Sequence, residues 1–331
     1  MNDSADFLLR RLRMRHIQLL TTLDTAGSVR AAAALMHLSQ PAVSKMLMEV
    51  ESAFGERLFE RDRRGVVPNA YGRAAIHRSR VVLGELQGAA QELESIRAGG
   101  GLLRLGTLSI TDLVPTATVG LLSKAPGSRI HIREAMVKDL IAFLLAGELD
   151  CVFGALSPSA LENVSVEDLR VEVIRQDRLC ALVSTRHPLA ARPRLDWAEL
   201  GESRWIAPLR STVVRQAFIS AFTNRGQPAP LPVVEVTSPV TLHAILAADP
   251  GMVGIVRFET GRASELAGLR LMEVEPTIAL PPLCLFTRKG PTEPLGIVQL
   301  FRDELLCAAG SGEPSKRKRS TRQGLQSSGG A

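Results

Sequence analysis

Arg61, Arg63 and Arg64 crowd four positions just before Gly65. Guanidinium groups gathered on a turn suit phosphate oxygens, which they hold through paired N–H donors. Upstream, Gln40, Ser44, Lys45 and Met48 fall on one side of a helical repeat. An amide, a hydroxyl, an ammonium and a thioether presented together can hydrogen-bond to base edges and pack on them. Ser28, Ser39 and Pro41 stand where helices would begin, the serines as N-caps and the proline in a first turn that has no donor to lose. A second set lies further on. Ser109-Ile110-Thr111, Arg210-Ser211-Thr212 and Ser238 each open a predicted helix after a strand, and Phe258 follows another strand. Hydroxyls and free N–H groups at such points suit a small anion or a polyol. Plain N-capping is the alternative for each loop.

Catalytic patterns are absent from the sequence. There is no GxGxxG between strand and helix, no Walker loop, no HExxH and no GxSxG. The six histidines are scattered, and Cys151, Cys180, Cys284 and Cys307 form no CxxC pair. The expectation is therefore reduced, mostly buried thiols, no metal, no cofactor and no enzyme. An enzyme on a two-lobed α/β fold stays as a formal alternative.

The elements that would carry these residues are legible in turn. Residues 13–24 read as a helix stopped by Gly27. Ser28 caps a second helix with Val29, Ala32, Ala33 and Met36 on its inner face. His37-Leu38 turns the chain, and a third helix runs from about Gln40 to Phe54 with Val43, Leu47, Val50 and Phe54 as its buried stripe. Two helices around so short a turn form a helix-turn-helix. An ordinary helical hairpin is the bland alternative. Against it, Leu58-Phe59 and Val66-Val67 read as two short strands around the arginine turn, a wing. Asn69 then caps a helix lasting to about Ala98, near 42 Å long. Ala75, Ser79, Val82, Leu86, Ala89, Leu93 and Ile96 alternate at spacings of four and three, a heptad seam. The expectation is that Val82, Leu86, Ala89, Leu93 and Ile96 pair with a second copy of the chain. Packing on the chain's own body is the alternative.

Beyond the Gly99-Gly100-Gly101 hinge the pattern changes to strands alternating with helices, an α/β region with a largely parallel sheet. Its length predicts two lobes, about 102–174 with 275–309, and about 175–274. Charge is uneven. Residues 1–80 hold 13 Lys/Arg against 8 Asp/Glu, residues 81–309 hold 22 against 25, and residues 310–331 hold 5 against 1. A basic head before an acidic body implies a polyanion partner for the head. The 310–331 tail, with Lys316-Arg317-Lys318-Arg319, is expected to be disordered. No apolar run approaches the roughly 20 residues of a membrane span, and the N-terminus has no apolar h-region. A cytoplasmic protein with no membrane partner is expected.

Residues 13–80 resemble the winged helix-turn-helix of the LysR-type transcriptional regulators. The likeness rests on Leu12-Arg13 through Leu20, Gly27-Ser28, Ala31-Ala32-Ala33-Ala34-Leu35, Leu38-Ser39-Gln40-Pro41-Ala42-Val43-Ser44, Glu51 with Gly55, and Leu58-Phe59-Glu60-Arg61. Asn69 stands where the family usually has threonine, and it caps equally well. Gly147-Glu148-Leu149-Asp150 and Arg186-His187-Pro188-Leu189 are looser matches in the second half. The resemblance covers about residues 8–309. It implies a multidomain chain: an all-α winged helix-turn-helix at 8–68, a linker and dimerisation helix at 69–98, and a two-lobed α/β effector domain at 102–309 similar to type 2 periplasmic binding proteins. It further implies a sequence-specific regulator controlled by a small inducer between the lobes. The partners implied are a double-stranded DNA operator, an organic acid or sugar-like inducer and a second copy of the chain. That self-association extends to a homodimer and then a homotetramer, and RNA polymerase is an additional candidate. A small-solute-binding protein with a vestigial DNA-binding head is the alternative.

Overall fold

A computed structural model describes residues 7–8, 10–62, 65–97, 99–108, 113–157, 161, 166–192, 195–264, 268–289 and 296–310. The head is built from α1 (Met14–Ala26), α2 (Val29–Leu35), α3 (Gln40–Phe54) and a hairpin of β1 (Phe59–Asp62) and β2 (Gly65–Pro68). Its ends follow from local chemistry. Gly27 closes α1 in the left-handed conformation, φ 66°. Ser28 Oγ accepts the Ala31 N–H at 3.2 Å, and Ser39 Oγ accepts the Ala42 N–H at 3.3 Å. Leu19, Leu20, Leu23, Val29, Ala32, Val43 and Val50 close the core between the helices. Leu47 and Phe54 are only half-buried, and Ala53 takes the inner place at the end of α3.

The wing is held from both sides. The Val66 N–H donates to Gly27 O at 2.9 Å. Gly65 has φ 129°, and a Cβ there would meet Gly27 O at 2.2 Å, so only glycine allows this approach. Asn69 Oδ1 accepts the Gly72 N–H at 2.9 Å and starts α4 (Ala70–Arg97). The predicted seam divides along α4. Ala75 and Ser79, the first two seam positions, are buried in the single chain, Ala75 within the head's own core. Val82, Leu86, Ala89, Leu93 and Ile96 are exposed in the single chain. The opposite side of α4, at about 100° per residue, carries Gly84, Gly88 and Ser95. Gly84 lies so close to Ala146 O that a Cβ would stand 2.2 Å from it. One face of α4 thus packs on the chain's own body while the heptad face stays open.

The body contains β3 (Leu102–Thr107), α5 (Leu113–Lys124), β4 (Arg129–Glu134), α6 (Val137–Leu145), β5 (Cys151–Ala155), β6 (Leu169–Ser184), β7 (Leu195–Asp196), β8 (Arg204–Ala207), α7 (Val213–Thr223), β9 (Val234–Glu235), α8 (Pro239–Ala248), β10 (Met252–Arg257), α9 (Phe258–Ser264), β11 (Leu269–Met272), β12 (Val274–Glu275), β13 (Ala279–Arg288) and α10 (Gly296–Gly310). The strand order is β4-β3-β5-β13-β6-β10-β8-β9. The sheet is mixed, not largely parallel. Parallel pairs lie at the two ends, β4-β3-β5 and β10-β8-β9. The middle is antiparallel because β6 and β13 pass between the halves in opposite directions, pairing Leu169 with Arg288 and Arg178 with Ala279. Side chains alternate across this sheet. Ala181 and Val183 enter the aromatic core of Trp197, Trp205, Phe218 and Phe222, while Cys180 and Leu182 enter the opposite core with Leu242 and Leu246. The other half repeats the arrangement, with α5 and α10 over one face and α6 over the other.

Candidate functional site

In the head, α3 presents Gln40, Lys45 and Met48 to solvent, with Ser44 half-exposed beside them. Met48 is 62% exposed. Ser39 and Pro41 are exposed at the start of α3, and Ser28 is half-buried at the start of α2. Lys45 Nζ lies 4.0 Å from Glu49 Oε1, a surface pair that leaves the ammonium available. Arg61 stands in β1 opposite Val66. Arg63 and Arg64 lie outside the described residues.

Two anchors of α3 were not singled out for a role by the sequence. Glu51 Oε1 accepts the N–H groups of Leu58 at 2.8 Å and Phe59 at 3.3 Å, tying the end of α3 to the wing. The signal was present, since Glu51 is one of the residues that carry the family likeness. His16 is buried in α1. Its Nδ1 accepts the Arg13 N–H at 3.2 Å, and its Nε2 faces Glu49 Oε2 at 3.3 Å. Nothing in the sequence pattern marks that contact, because it joins two helices.

The seam residues Val82, Leu86, Ala89, Leu93 and Ile96 follow one another along α4. At the head end the seam opens into an apolar groove of about 350 Å³, lined by Ile17, Phe54, Leu58, Tyr71, Ala75 and Val82.

In the body, the carboxyl ends of β8, β9 and β10 and the starts of α7 and α8 share one edge. Thr212 Oγ1 accepts the Arg215 N–H at 3.3 Å, so Thr212 and not its exposed neighbour Ser211 caps α7. Arg210 is exposed on the same loop. Ser238 caps α8 through a 3.5 Å bond from the Thr241 N–H. Phe258, the first residue of α9 directly after β10, is half-buried, and the Arg178 guanidinium lies 3.7 Å over its ring. Ser109, Ile110 and Thr111 lie outside the described residues. In the sequence Arg215 stands out only as part of the helix. It is 4% exposed, and its Nη1 lies 3.5 Å from Glu235 Oε1.

Among the described residues no group of three His, Cys, Asp or Glu side chains is placed to hold a metal ion, and no helix is long and apolar enough to cross a membrane. Cys151, Cys180 and Cys284 are buried and Cys307 is exposed, with no disulfide among them. Burial pushes the Cys180 thiol up to about 12.

A winged helix-turn-helix, a long helix and a two-lobed α/β body define a one-component DNA-binding regulator. Residues 14–73 match the bacterial regulatory helix-turn-helix proteins of the LysR family, and residues 97–310 match the LysR substrate binding domain. The chain belongs to the LysR family of transcriptional regulators. It is 32% identical over 256 residues to the transcriptional regulator GbpR of Azospirillum brasilense, covering 76% of this chain and 73% of that one. It is 28% identical over 307 residues to PcaQ of Agrobacterium fabrum, covering 86% and 96%. In fold it is similar to a full-length OxyR variant from Pseudomonas aeruginosa, with TM-score 0.60 at 19% identity over 89% of this chain and 94% of that one. CbnR, a LysR family regulator, superposes with TM-score 0.58 at 19% identity over 90% and 99%. Full-length CbnR complexed with its target DNA gives 0.57 at 20% identity over 90% and 100%.

Proposed function

We propose that two copies pair along Val82, Leu86, Ala89, Leu93 and Ile96 and present two α3 helices to successive half-sites of a double-stranded operator. The chain divides at 8–68, 69–98 and 102–309 into reading head, pairing helix and sensor. Gln40, Ser44, Lys45 and Met48 face the major groove, with Ser28, Ser39 and Pro41 at the helix starts beside the backbone. Arg61, Arg63 and Arg64 hold phosphates next to it. A small organic acid or sugar-like inducer binds between the lobes, near Ser109, Ile110, Thr111, Arg210, Ser211, Thr212, Ser238 and Phe258. Its binding changes how the dimers, assembled into a tetramer, sit on the DNA and how RNA polymerase is engaged, all in the cytoplasm.

The observation that carries this reading is the outward face of α3. A helix with Met48 and Lys45 open to solvent, capped by Ser39 and braced to a wing, is arranged for a partner surface. An electrophoretic shift with DNA from beside the chain's own gene tests it. A shift that survives random competitor DNA and changes mobility on adding inducer is expected. No sequence-selective shift, with a ligand still bound, would favour a solute-binding protein that carries an idle head.

A further inference from the structure

Among the described residues four arginines of the body and its borders are nearly out of solvent, and three of them have acceptors on at least two guanidinium nitrogens. Arg104 Nε bonds Asp150 Oδ1 at 3.1 Å, and its Nη1 bonds Gly147 O at 2.9 Å. Arg175 Nη1 meets Glu259 Oε2 at 2.6 Å, and its Nη2 donates to Ala309 O. Arg257 Nε meets Asp177 Oδ2 at 2.8 Å, and its Nη2 donates to Pro281 O at 2.9 Å. Arg215 is the exception. Its side chain is 5% exposed, yet among the described residues Nε and Nη1 have no hydrogen-bond acceptor. The 3.5 Å approach to Glu235 supplies opposite charge without hydrogen-bond geometry, and Glu235 is itself 44% exposed. A buried guanidinium with unfilled donors is costly unless something else fills them.

Its place in the fold says where that acceptor would come from. Arg215 is the third residue of α7, which follows β8. Glu235 ends β9, in register with Ala207 at the end of β8. The guanidinium therefore stands at the carboxyl edge of the parallel strands, the ligand edge of an open α/β sheet. Thr212 Oγ1 fills the Arg215 N–H, so helix geometry leaves the N–H groups of Val213 and Val214 without an intrahelical acceptor. Arg210 brings a second cation to the same loop, while Glu235 subtracts one charge, which favours a monoanionic group over a dianion.

We propose that Arg215 anchors a carboxylate of the small ligand at the start of α7, with Glu235 as the counter-ion that the carboxylate displaces. This rests on the sensor reading given above and names the ligand's charged group. Calorimetric and thermal-shift titrations of the full chain test it. The probes are benzoate, succinate and gluconate, each paired with its uncharged counterpart benzamide, succinamide or glucitol, and inorganic phosphate forms a separate arm. At least one acid should stabilise the wild type where its neutral partner does not. Arg215→Met should abolish that difference, and Arg215→Lys should retain part of it. Glu235→Gln should bind the same acid about fivefold tighter, because a like charge near the carboxylate is gone. A purely structural ion pair would respond in the opposite direction, with weaker binding or none. If Arg215→Met does not fold by circular dichroism, Arg215→Lys and Glu235→Gln decide. No shift by any of the three acids, equal shifts by acid and neutral partner, a response to phosphate alone, or weaker binding in Glu235→Gln would overturn the proposal. A neutral ligand that alters the operator shift would overturn only the anion anchor. A wild type with neither ligand response nor operator shift would overturn the sensor reading as well.

Discussion

Asp177 Oδ2 lies 2.8 Å from Arg257 Nε, with both side chains buried where β6 passes from one half of the body to the other. Asp177 Oδ1 also accepts the Arg178 N–H at 2.8 Å. Burial pushes the Asp177 carboxyl above its usual range, against the pull of Arg257. Burial likewise draws the Arg257 guanidinium below its usual range. Each charge is offset there chiefly by the other.

Asp177→Ala should therefore destabilise the chain by about 3–5 kcal/mol, the cost of stranding a buried charge. Asp177→Leu combined with Arg257→Met should lose much less, since it strands nothing. Urea unfolding of the variants supplies the comparison. An Asp177→Ala loss below about 1 kcal/mol would mean that the pair behaves like a surface one.

Lys45→Ala and Ser44→Ala should each lose about 1–3 kcal/mol of discrimination between operator and random DNA. Arg63→Ala should weaken both DNAs equally and reduce the salt slope by about 1. Equal losses on both DNAs for Ser44→Ala would remove that residue from base reading.

Glu51 reaches out of α3 to the wing, so Glu51→Ala strands two N–H groups, those of Leu58 and Phe59. The head should lose about 1–3 kcal/mol. Affinity should fall with little change in sequence preference, because no base-facing residue is touched. A Glu51→Ala chain with altered preference and unchanged melting would place Glu51 at the DNA instead.

The head was legible because its signals are local. Ser28, Ser39 and Asn69 cap helices that start within a residue or two of them, and Gly27 and Gly55 end helices through their own φ. The sheet was less legible. Alternation placed the strands, but the direction in which β6 meets β13 depends on partners about a hundred positions apart, Arg178 and Ala279 among them. The site divides in the same way. Thr212 and Ser211 are equivalent cap candidates in sequence, and only the 3.3 Å bond to the Arg215 N–H separates them. The burial of Arg215 depends on Phe218 and Glu235 from two elements, so no motif announces it.

Leu86→Asp with Leu93→Asp should break the pairing of α4. These leucines are 52% and 58% exposed in the single chain, so the substitutions cost its own fold little. In a paired seam each would bury an aspartate. Sedimentation should drop from dimer or larger to monomer. Binding to a full operator should fall far more than binding to a half-site. An unchanged sedimentation coefficient would mean that the exposed face is not the pairing face.

The distinction between Ser211 and Thr212 makes the cleft testable without confusing ligand contact with folding. Thr212 caps α7, so Thr212→Ala should cost about 1 kcal/mol of stability whatever the ligand does. Any loss of induction in that variant is ambiguous. Ser211 is exposed and makes no cap, so Ser211→Ala should change stability by less than about 0.5 kcal/mol. If the ligand uses its hydroxyl, the inducer dose–response should still move by about fivefold, the weight of one hydrogen bond of about 1 kcal/mol. A bulky Ser211→Trp should move it further by occupying the space. Reporter induction curves read beside thermal melts make the comparison. If both Ser211 variants melted and induced like the wild type, the loop would only begin a helix, and the inducer would sit elsewhere between the lobes.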